Sequence, residues 1–460
     1  MTFWPAPTLK SGIPVCAKIE IPSSKSLTNR YLILAALSDS PSIIKNPLLA
    51  RDTSLMVEAL RKLGTKIDTS TAPQSWKITP RKLSGAKIDA GLAGTVMRFI
   101  PPIAALASGV TLIDGDPQAR KRPMQTTISS LQNLGVDISS CNTHAESLPL
   151  RISGNGKITG GKLEIDASAS SQFISALLLA GARFEQGLEL QHIGDKLPSL
   201  PHIEMTLSVL CQAGVHISES GSSAAPIWHV APGPIHFTHA TAETDLSNAG
   251  PFLASAMLTA GQIEIPNWPQ NTTQAGAHFA SIFEKMGAKI AFSAHGSLLL
   301  HGPKNILPID LDCHAIGELV PTLAAVCAFA TDTCALRNIG QLRGHETDRL
   351  AALTTELTKI GVTAKIIKDD LIITPPTAES AGYHGALLNS YADHRMATFG
   401  AILGLRINGI RIDDIETTAK TLPNFVQLWE NLISQSAQSK SAENYFSADS
   451  KKAVFSSEDK

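Results

Sequence analysis

Apolar residues recur along this chain in two alternating kinds of segment. In the first kind they stand three and four apart and stop at a glycine, as Met56, Leu60 and Leu63 do before Gly64. The same arrangement closes at Gly135 (Leu131-Gln132-Asn133-Leu134), Gly214 (Leu210-Cys211-Gln212-Ala213), Gly287 (Phe283-Glu284-Lys285-Met286) and Gly361 (Leu357-Thr358-Lys359-Ile360). That spacing lines one face of an amphipathic helix. A glycine there takes the left-handed position that closes a helix, and the alternating residues that follow, such as Thr65-Lys66-Ile67-Asp68, read as a strand. The second kind is an apolar helix opened by small or polar residues, beginning near Ser26, Thr95, Ser170, Ser247, Gly317 and Asp393. Successive gaps are 69, 75, 77, 70 and 76 residues, about twice the period of common solenoid repeats. Short strands such as Ala17-Lys18-Ile19-Glu20 and Lys162-Leu163-Glu164-Ile165-Asp166 precede these helices. The unit is therefore strand, helix, strand, helix, strand, strand (βαβαββ), written six times.

A chain of 460 residues exceeds what one hydrophobic core serves, so six units imply two domains of three. Pro22 and the stretch from Ala240 to Thr244 are the expected crossovers. They give one α/β lobe at 22–242 and a second from 1–21 with 243–433, and the N-terminal strand ahead of Pro22 is expected to complete the sixth unit. Residues 434–460 are rich in Ser, Lys and Glu without periodicity and read as a disordered tail. No apolar run has the length of a signal peptide, and none approaches the ~18 residues of a membrane span. The six cysteines form no C-x-x-C pair and lie in apolar or strand-like runs, which suits buried thiols in a cytoplasmic protein. A net charge of −1 speaks against a nucleic-acid binder with a broad basic face. Any anion must be caught by a local cluster.

Such a cluster is visible at the starts of the second kind of helix. Lys25-Ser26 opens the first with Arg30 one turn in, Gly94-Thr95 opens the next with Arg98 one turn in, Ser170-Ser171-Gln172 opens the third, and Asp393-His394-Arg395 opens the sixth. A helix start carries unspent N–H groups and partial positive charge. One such serine or threonine is most simply a cap; four starts, three with Lys or Arg close by, are not. Two further runs add charge: Arg120-Lys121-Arg122-Pro123 and Arg343-Gly344-His345-Glu346-Thr347-Asp348-Arg349. A helix beginning near Thr347 would set Glu346 and Arg349 on adjacent turns with His345 just outside, which suits acid–base work beside a bound phosphate.

Pro22 to Arg30, Leu92 to Arg98, Arg343 to Arg349, and Tyr391-Ala392-Asp393-His394-Arg395-Met396 together resemble the signatures of the EPSP synthase family, the 3-phosphoshikimate 1-carboxyvinyltransferases. The likeness runs in order from about residue 15 to residue 432. It implies a two-domain inside-out α/β barrel built from six βαβαββ repeats, and transfer of the enolpyruvyl group of phosphoenolpyruvate to shikimate 3-phosphate by a monomer. It implies two small-molecule substrates, no cofactor, no metal, and no nucleic-acid or membrane partner. Carried over by motif, Lys25, Ser26, Arg30, Ser170, Ser171, Gln172, Ser199, Glu318 and His345 would bind shikimate 3-phosphate. Lys25, Gly94, Arg122, Gln172, Arg349, His394, Arg395 and Lys420 would bind phosphoenolpyruvate, and Glu318, Glu346 and Lys25 would be catalytic. The chain departs from the common pattern with Ser24 for Gly, Leu92 for Asn, Glu318 for Asp, His345 for Lys and His202 for Tyr. An imidazole at 345 is only partly charged at neutral pH.

The chemistry so implied is addition then elimination. The two substrates together carry roughly five to six negative charges, which Lys25, Arg30, Arg98, Arg122, Arg349, Arg395 and Lys420 would balance. Arginine suits two-point contacts with carboxylate and phosphate. A substrate held by two lobes also implies hinge closure. The competing readings are transfer to UDP-N-acetylglucosamine, a non-catalytic anion-binding relative, and an RNA 3′-phosphate cyclase sharing the repeat. The segment from Gly115 to Arg122 lacks the cysteine usual in the first of these.

Overall fold

A computed structural model describes residues 3–9, 13–142, 146–222, 225–377 and 381–438. The chain divides into two compact units, Ser23–Glu243 and Met1–Pro22 with Thr244–Lys460, and each buries its own apolar core. The first unit is built of three four-stranded sheets. Each has a parallel pair followed by two antiparallel strands, as in Lys87–Asp89, Ser108–Asp114, Leu150–Asn155 and Asp137–Ser140. The second unit has two sheets of that kind and a three-stranded one.

The two helix types serve different layers. Lys25–Leu37, Gly94–Ala105 and Gln172–Gly181 pack on one another at the centre of the first unit. Every residue of Gly94–Ala105 is buried, as expected of a helix apolar all round. Leu246–Thr259, Val320–Cys327 and His394–Gly404 do the same in the second unit. The amphipathic helices lie outside these, and their glycine stops are left-handed as the pattern predicts. Gly64, Gly135, Gly214, Gly287 and Gly361 have φ of 115°, 82°, 73°, 101° and 88°. In each case the next residue's N–H reaches back five residues, as Thr65 does to Leu60 O at 3.0 Å, which satisfies a carbonyl the helix would otherwise leave unmatched.

Two expectations need correcting. The strand ahead of Pro22, at Cys16–Lys18, does not complete the sixth repeat: it pairs in parallel with Gln262–Ile265. The short strand Trp4–Pro5 completes the sixth sheet instead, antiparallel to Arg411–Ile412. In the same way His239–Thr241, just before helix Leu246–Thr259, pairs with Ser42–Lys45. The chain thus leaves each unit through a strand that stays behind, because the first repeat of each unit is entered at its helix and still needs a parallel edge strand. The tail also begins later than expected. Residues 434–438 finish the helix Phe425–Gln438, where Ser436 Oγ and Gln435 Oε1 accept from the N–H groups of Cys16 and Lys18. The rest of the 434–460 expectation, 439–460, lies outside the described residues.

Four of the cysteines are buried, but Cys141 and Cys211 are exposed. Cys211 sits near the end of the amphipathic helix Leu200–Gln212, on its outer face. Among the described residues no helix is long and apolar enough to cross a membrane.

Candidate active site

In the unit Ser23–Glu243, Lys25 is the first residue of its helix, and Ser24 rather than Ser26 caps it, accepting from Leu27 N–H at 3.4 Å. Lys25 Nζ lies 3.1 Å from Asp52 Oδ2, a carboxylate almost wholly buried. Gly94 opens the next central helix with no side-chain cap bond. A methyl group built on Gly94 would lie 3.1 Å from Gln172 Oε1 and 3.3 Å from both Arg122 Nη1 and Arg98 Nη1. Four residues from two helix starts and one loop therefore converge on one point. Gln172 itself begins a central helix that also lacks a side-chain cap. Gln172 Oε1 and the Nε and Nη1 of Arg122 are buried with no hydrogen-bond partner among the described residues. Buried polar atoms left unmatched mark a place where a ligand completes the bonding.

Arg30, expected to touch substrate, spends its donors inside the protein. It gives hydrogen bonds from Nε to Thr206 Oγ1 at 2.8 Å, from Nη2 to His202 O at 2.8 Å and from Nη1 to Ser26 O at 3.0 Å. It also lies over the Phe99 ring, 5.3 Å from the centroid. Its observed work is to tie together the first turns of Lys25–Leu37 and Leu200–Gln212, with Ser175 of Gln172–Gly181 alongside. Ser26, Ser170, Ser171 and Ser199 all stand at the starts of these helices. Ser170 Oγ accepts from Gln172 N–H at 3.3 Å, and Ser199 holds a left-handed backbone at φ 52° as it opens its helix without a side-chain cap bond. Thr95 is no cap either: its hydroxyl accepts from Asn29 Nδ2 at 2.7 Å.

The other unit assembles a network of ion pairs. Helix Arg349–Thr358 starts two residues later than Thr347 because Asp348 caps it, accepting from Ala351 N–H at 3.1 Å. Arg349 is buried and donates from Nε to Asp393 Oδ2 at 2.7 Å and from Nη2 to Glu346 Oε2 at 3.1 Å. Burial works against its charge, but Asp393, Glu346 and Glu318 outweigh that and hold its proton more firmly than usual. Lys420 Nζ donates to Glu346 Oε1 at 2.5 Å. Arg349 Nη1 lies 3.1 Å from His345 Nδ1; an arginine only donates, so Nδ1 accepts and the ring proton sits on Nε2. His345 thus lies directly against Arg349, and its Nδ1 is also 4.0 Å from Glu346 Oε2. Glu318, in the turn Gly317–Leu319, accepts from Ser247 Oγ at 2.8 Å, and its other oxygen is 3.9 Å from Arg395 Nη2. His394 Nδ1 is 3.7 Å from Asp393 Oδ1, and both residues are buried.

Of the expected residues, then, Lys25, Ser26, Arg30, Gly94, Arg122, Ser170, Ser171, Gln172 and Ser199 belong to the first unit. Glu318, His345, Glu346, Arg349, His394, Arg395 and Lys420 belong to the second. The residue types and starts were legible, but three partners were not singled out: Asp52, Ser247 as a ligand of Glu318, and Asp393 as the counter-ion of Arg349. Asp52 carried a signal, since it stands four residues before Met56 on the apolar stripe of its helix. The charge count changes too. Lys25 faces Asp52, and Arg349, Arg395 and Lys420 face Glu318, Glu346 and Asp393. At least four of the seven cations are therefore offset before any substrate arrives.

Residues 9–429 match the family model for EPSP synthase (3-phosphoshikimate 1-carboxyvinyltransferase). A 3-phosphoshikimate 1-carboxyvinyltransferase of Kocuria rhizophila is 47% identical over 441 residues, covering 94% of this chain and 96% of that protein. An EPSP synthase structure from Acinetobacter baumannii superposes with a TM-score of 0.75 at 22% identity, over 94% of this chain and 98% of its own. The enolpyruvyl transferase NikO from Streptomyces tendae gives 0.70 at 15% identity, over 92% and 95%. At those identities the two structures speak to the fold alone.

Proposed function

The chain belongs to the EPSP synthase family, and from that premise we propose how its two clusters divide the chemistry. The enzyme transfers the enolpyruvyl group of phosphoenolpyruvate to the 5-hydroxyl of shikimate 3-phosphate and releases phosphate. The hydroxyl oxygen attacks C2 while C3 gains a proton; the tetrahedral adduct then expels phosphate as C3 loses one.

The first unit supplies a preformed anion site. Gly94, Arg122, Gln172 and Lys25 receive phosphoenolpyruvate. Ser26, Ser170, Ser171 and Ser199, held in place by Arg30, receive the phosphate of the other substrate. The observation that carries this reading is the convergence at Gly94, where two guanidinium groups and an amide lie within 3.3 Å of one point. Fixed donors aimed at a dry site stabilise charge without reorganising.

The second unit supplies the proton carriers. Glu318, oriented by Ser247, takes the proton of the attacking hydroxyl. Glu346, with Lys25, gives and recovers the C3 proton. Arg349 and Lys420 orient its two carboxylate oxygens. Arg395 and His394 complete the contacts to phosphoenolpyruvate, and His345 acts through Arg349.

The test is phosphate release from phosphoenolpyruvate. It should require shikimate 3-phosphate and be absent with UDP-N-acetylglucosamine; release with the sugar nucleotide would overturn the acceptor. The same enzyme is taken to work as a cytoplasmic monomer, and a solution mass above that of one chain would refute the oligomeric part.

A further inference from the structure

Two consecutive side-chain-bearing residues, Tyr391 and Ala392, hold φ of 56° and 55° immediately ahead of Asp393. Left-handed backbone is unfavourable for each of them and persists only where the surroundings impose it. The equivalent turn ahead of helix Gly94–Ala105 puts Gly91 at φ 50°, where glycine adopts it without strain. The sixth repeat therefore keeps a strained tyrosine where the second repeat has a glycine. What holds it is a buried carboxylate. Tyr391 Oη donates to Glu356 Oε1 at 2.5 Å. The same carboxylate, with no exposed side-chain surface, accepts from Lys359 Nζ at 2.9 Å and from Asn389 N–H at 3.2 Å. Glu356 is on helix Arg349–Thr358, so this bond joins the helix that begins with Arg349 to the turn that presents Asp393, His394 and Arg395. Burial first, and the bond to Glu356 next, push the Tyr391 hydroxyl up to about 12, so it remains a donor through the neutral range.

We propose that Tyr391 and Glu356 are positioning residues for phosphoenolpyruvate binding: their hydrogen bond clamps the strained turn against the Arg349 helix and so fixes the angle at which Arg395 and Arg349 meet the substrate. This rests on the reading that those arginines bind phosphoenolpyruvate. Two further ties join the same elements, from Arg349 to Asp393 and from Asn389 N–H to Glu356. Loss of the tyrosine bond therefore loosens the turn without detaching the helix, and the effect falls on binding more than on folding.

The experiment measures steady-state kinetics and thermal unfolding for Tyr391→Phe, Tyr391→Gly, Glu356→Gln, the double variant Tyr391→Phe/Glu356→Gln, and Arg395→Lys. Small displacements of binding groups have large kinetic effects, so Tyr391→Phe should raise KM for phosphoenolpyruvate about 10-fold and leave KM for shikimate 3-phosphate within about 2-fold. The double variant should be no worse than its more damaged parent. Tyr391→Gly removes the strain without restoring the bond, so its KM should stay high even if it melts at or above the phenylalanine variant. A raised KM in Arg395→Lys with a normal one in Tyr391→Phe sinks the clamp alone; a wild-type KM in Tyr391→Gly does so as well. An unchanged KM in Arg395→Lys sinks the underlying reading of the site. Should Glu356→Gln not fold, with Lys359 deprived of its partner, Tyr391→Phe decides the matter by itself.

Discussion

The two units are built from the same repeat, three copies each, yet several of their helix starts are finished differently, although Ser24 caps Lys25–Leu37 in the first unit and Val320–Cys327 begins without a side-chain cap in the second. In Ser23–Glu243 the helices Gly94–Ala105, Gln172–Gly181 and Leu200–Gln212 begin without a side-chain cap bond. In the other unit Asp245, Asp348 and Asp393 accept from the backbone at the starts of Leu246–Thr259, Arg349–Thr358 and His394–Gly404. At those starts the first unit leaves the N-cap side chains out of the bonding, which suits the proposed capture of an anion from outside. The other carries its own anions and has each arginine and lysine of the network already set against a carboxylate. Among the central helices the third of each unit shows the contrast most directly: Gln172–Gly181 has no side-chain cap, whereas Asp393 caps His394–Gly404. The division suits the reaction: electrostatic holding needs fixed positive donors, whereas proton transfer needs carboxylates.

The largest effect should come from the carboxylate side. Glu318→Gln keeps the shape and the bond to Ser247 but removes the base. Turnover should fall about 10²-fold or more while the KM values move little. If pre-steady-state and steady-state rates stay normal, the second unit is not where the hydroxyl proton goes, and the division fails. Next is Arg122→Gln. Its buried Nε and Nη1 have no partner among the described residues, so the variant gives up no bond made there. A hydrogen bond to a charged group contributes roughly 1.5–3 kcal/mol, so KM for phosphoenolpyruvate should rise by about 10- to 100-fold. Thermal stability without ligand should hold. A variant that melts early but binds normally would show that Arg122 serves the fold instead.

Gly94→Ala is a finer probe of the same point. The new methyl would meet Gln172 Oε1 at 3.1 Å and two guanidinium nitrogens at 3.3 Å. These are the far ends of flexible side chains, so the protein should fold, but the arginines must shift by some tenths of an ångström. An increase of about 10-fold in KM for phosphoenolpyruvate is expected, well above that for shikimate 3-phosphate. Equal losses for both substrates would mean that the point at Gly94 is shared and not dedicated.

How much of this could be read in the chain itself depended on the range of the interaction. The glycine stops were legible because a left-handed helix end is a local matter, decided by Gly64 or Gly287 and its immediate neighbours. The candidate anion-binding starts could be singled out because Lys25, Arg30, Gly94 and Arg98 lie within the first turns of the helices they open. Partners far apart in sequence were not. Asp393 is 44 residues from Arg349, Glu318 is 71 from Ser247, and Lys420 is 74 from Glu346. No local pattern links them. Charged residues set on an apolar stripe were the missed signal: Asp52 four before Met56, and Glu356 three after Leu353, each buried with a cation. The acceptors of Arg30 were hidden by distance as well: beside Ser26 O on its own helix, it reaches Thr206 and His202, more than 170 residues away. The exchange of strands at Cys16–Lys18 and His239–Thr241 was hidden because every repeat's first strand looks alike, whichever sheet receives it.

The smallest effect is the one that tests whether the aspartate caps are structural. Asp348 is exposed and its carboxylate accepts from Ala351 N–H at 3.1 Å. Asp348→Ala deletes that bond and should cost about 1 kcal/mol of stability, as lost caps usually do. Asp348→Asn keeps an acceptor and should recover most of it. If the cap does no more than close the helix, neither variant should move KM for phosphoenolpyruvate by more than about 2-fold, because Arg349 is still held from the far side by Asp393. A larger rise in Asp348→Ala that Asp348→Asn repairs would show that this helix start is itself part of the substrate's grip.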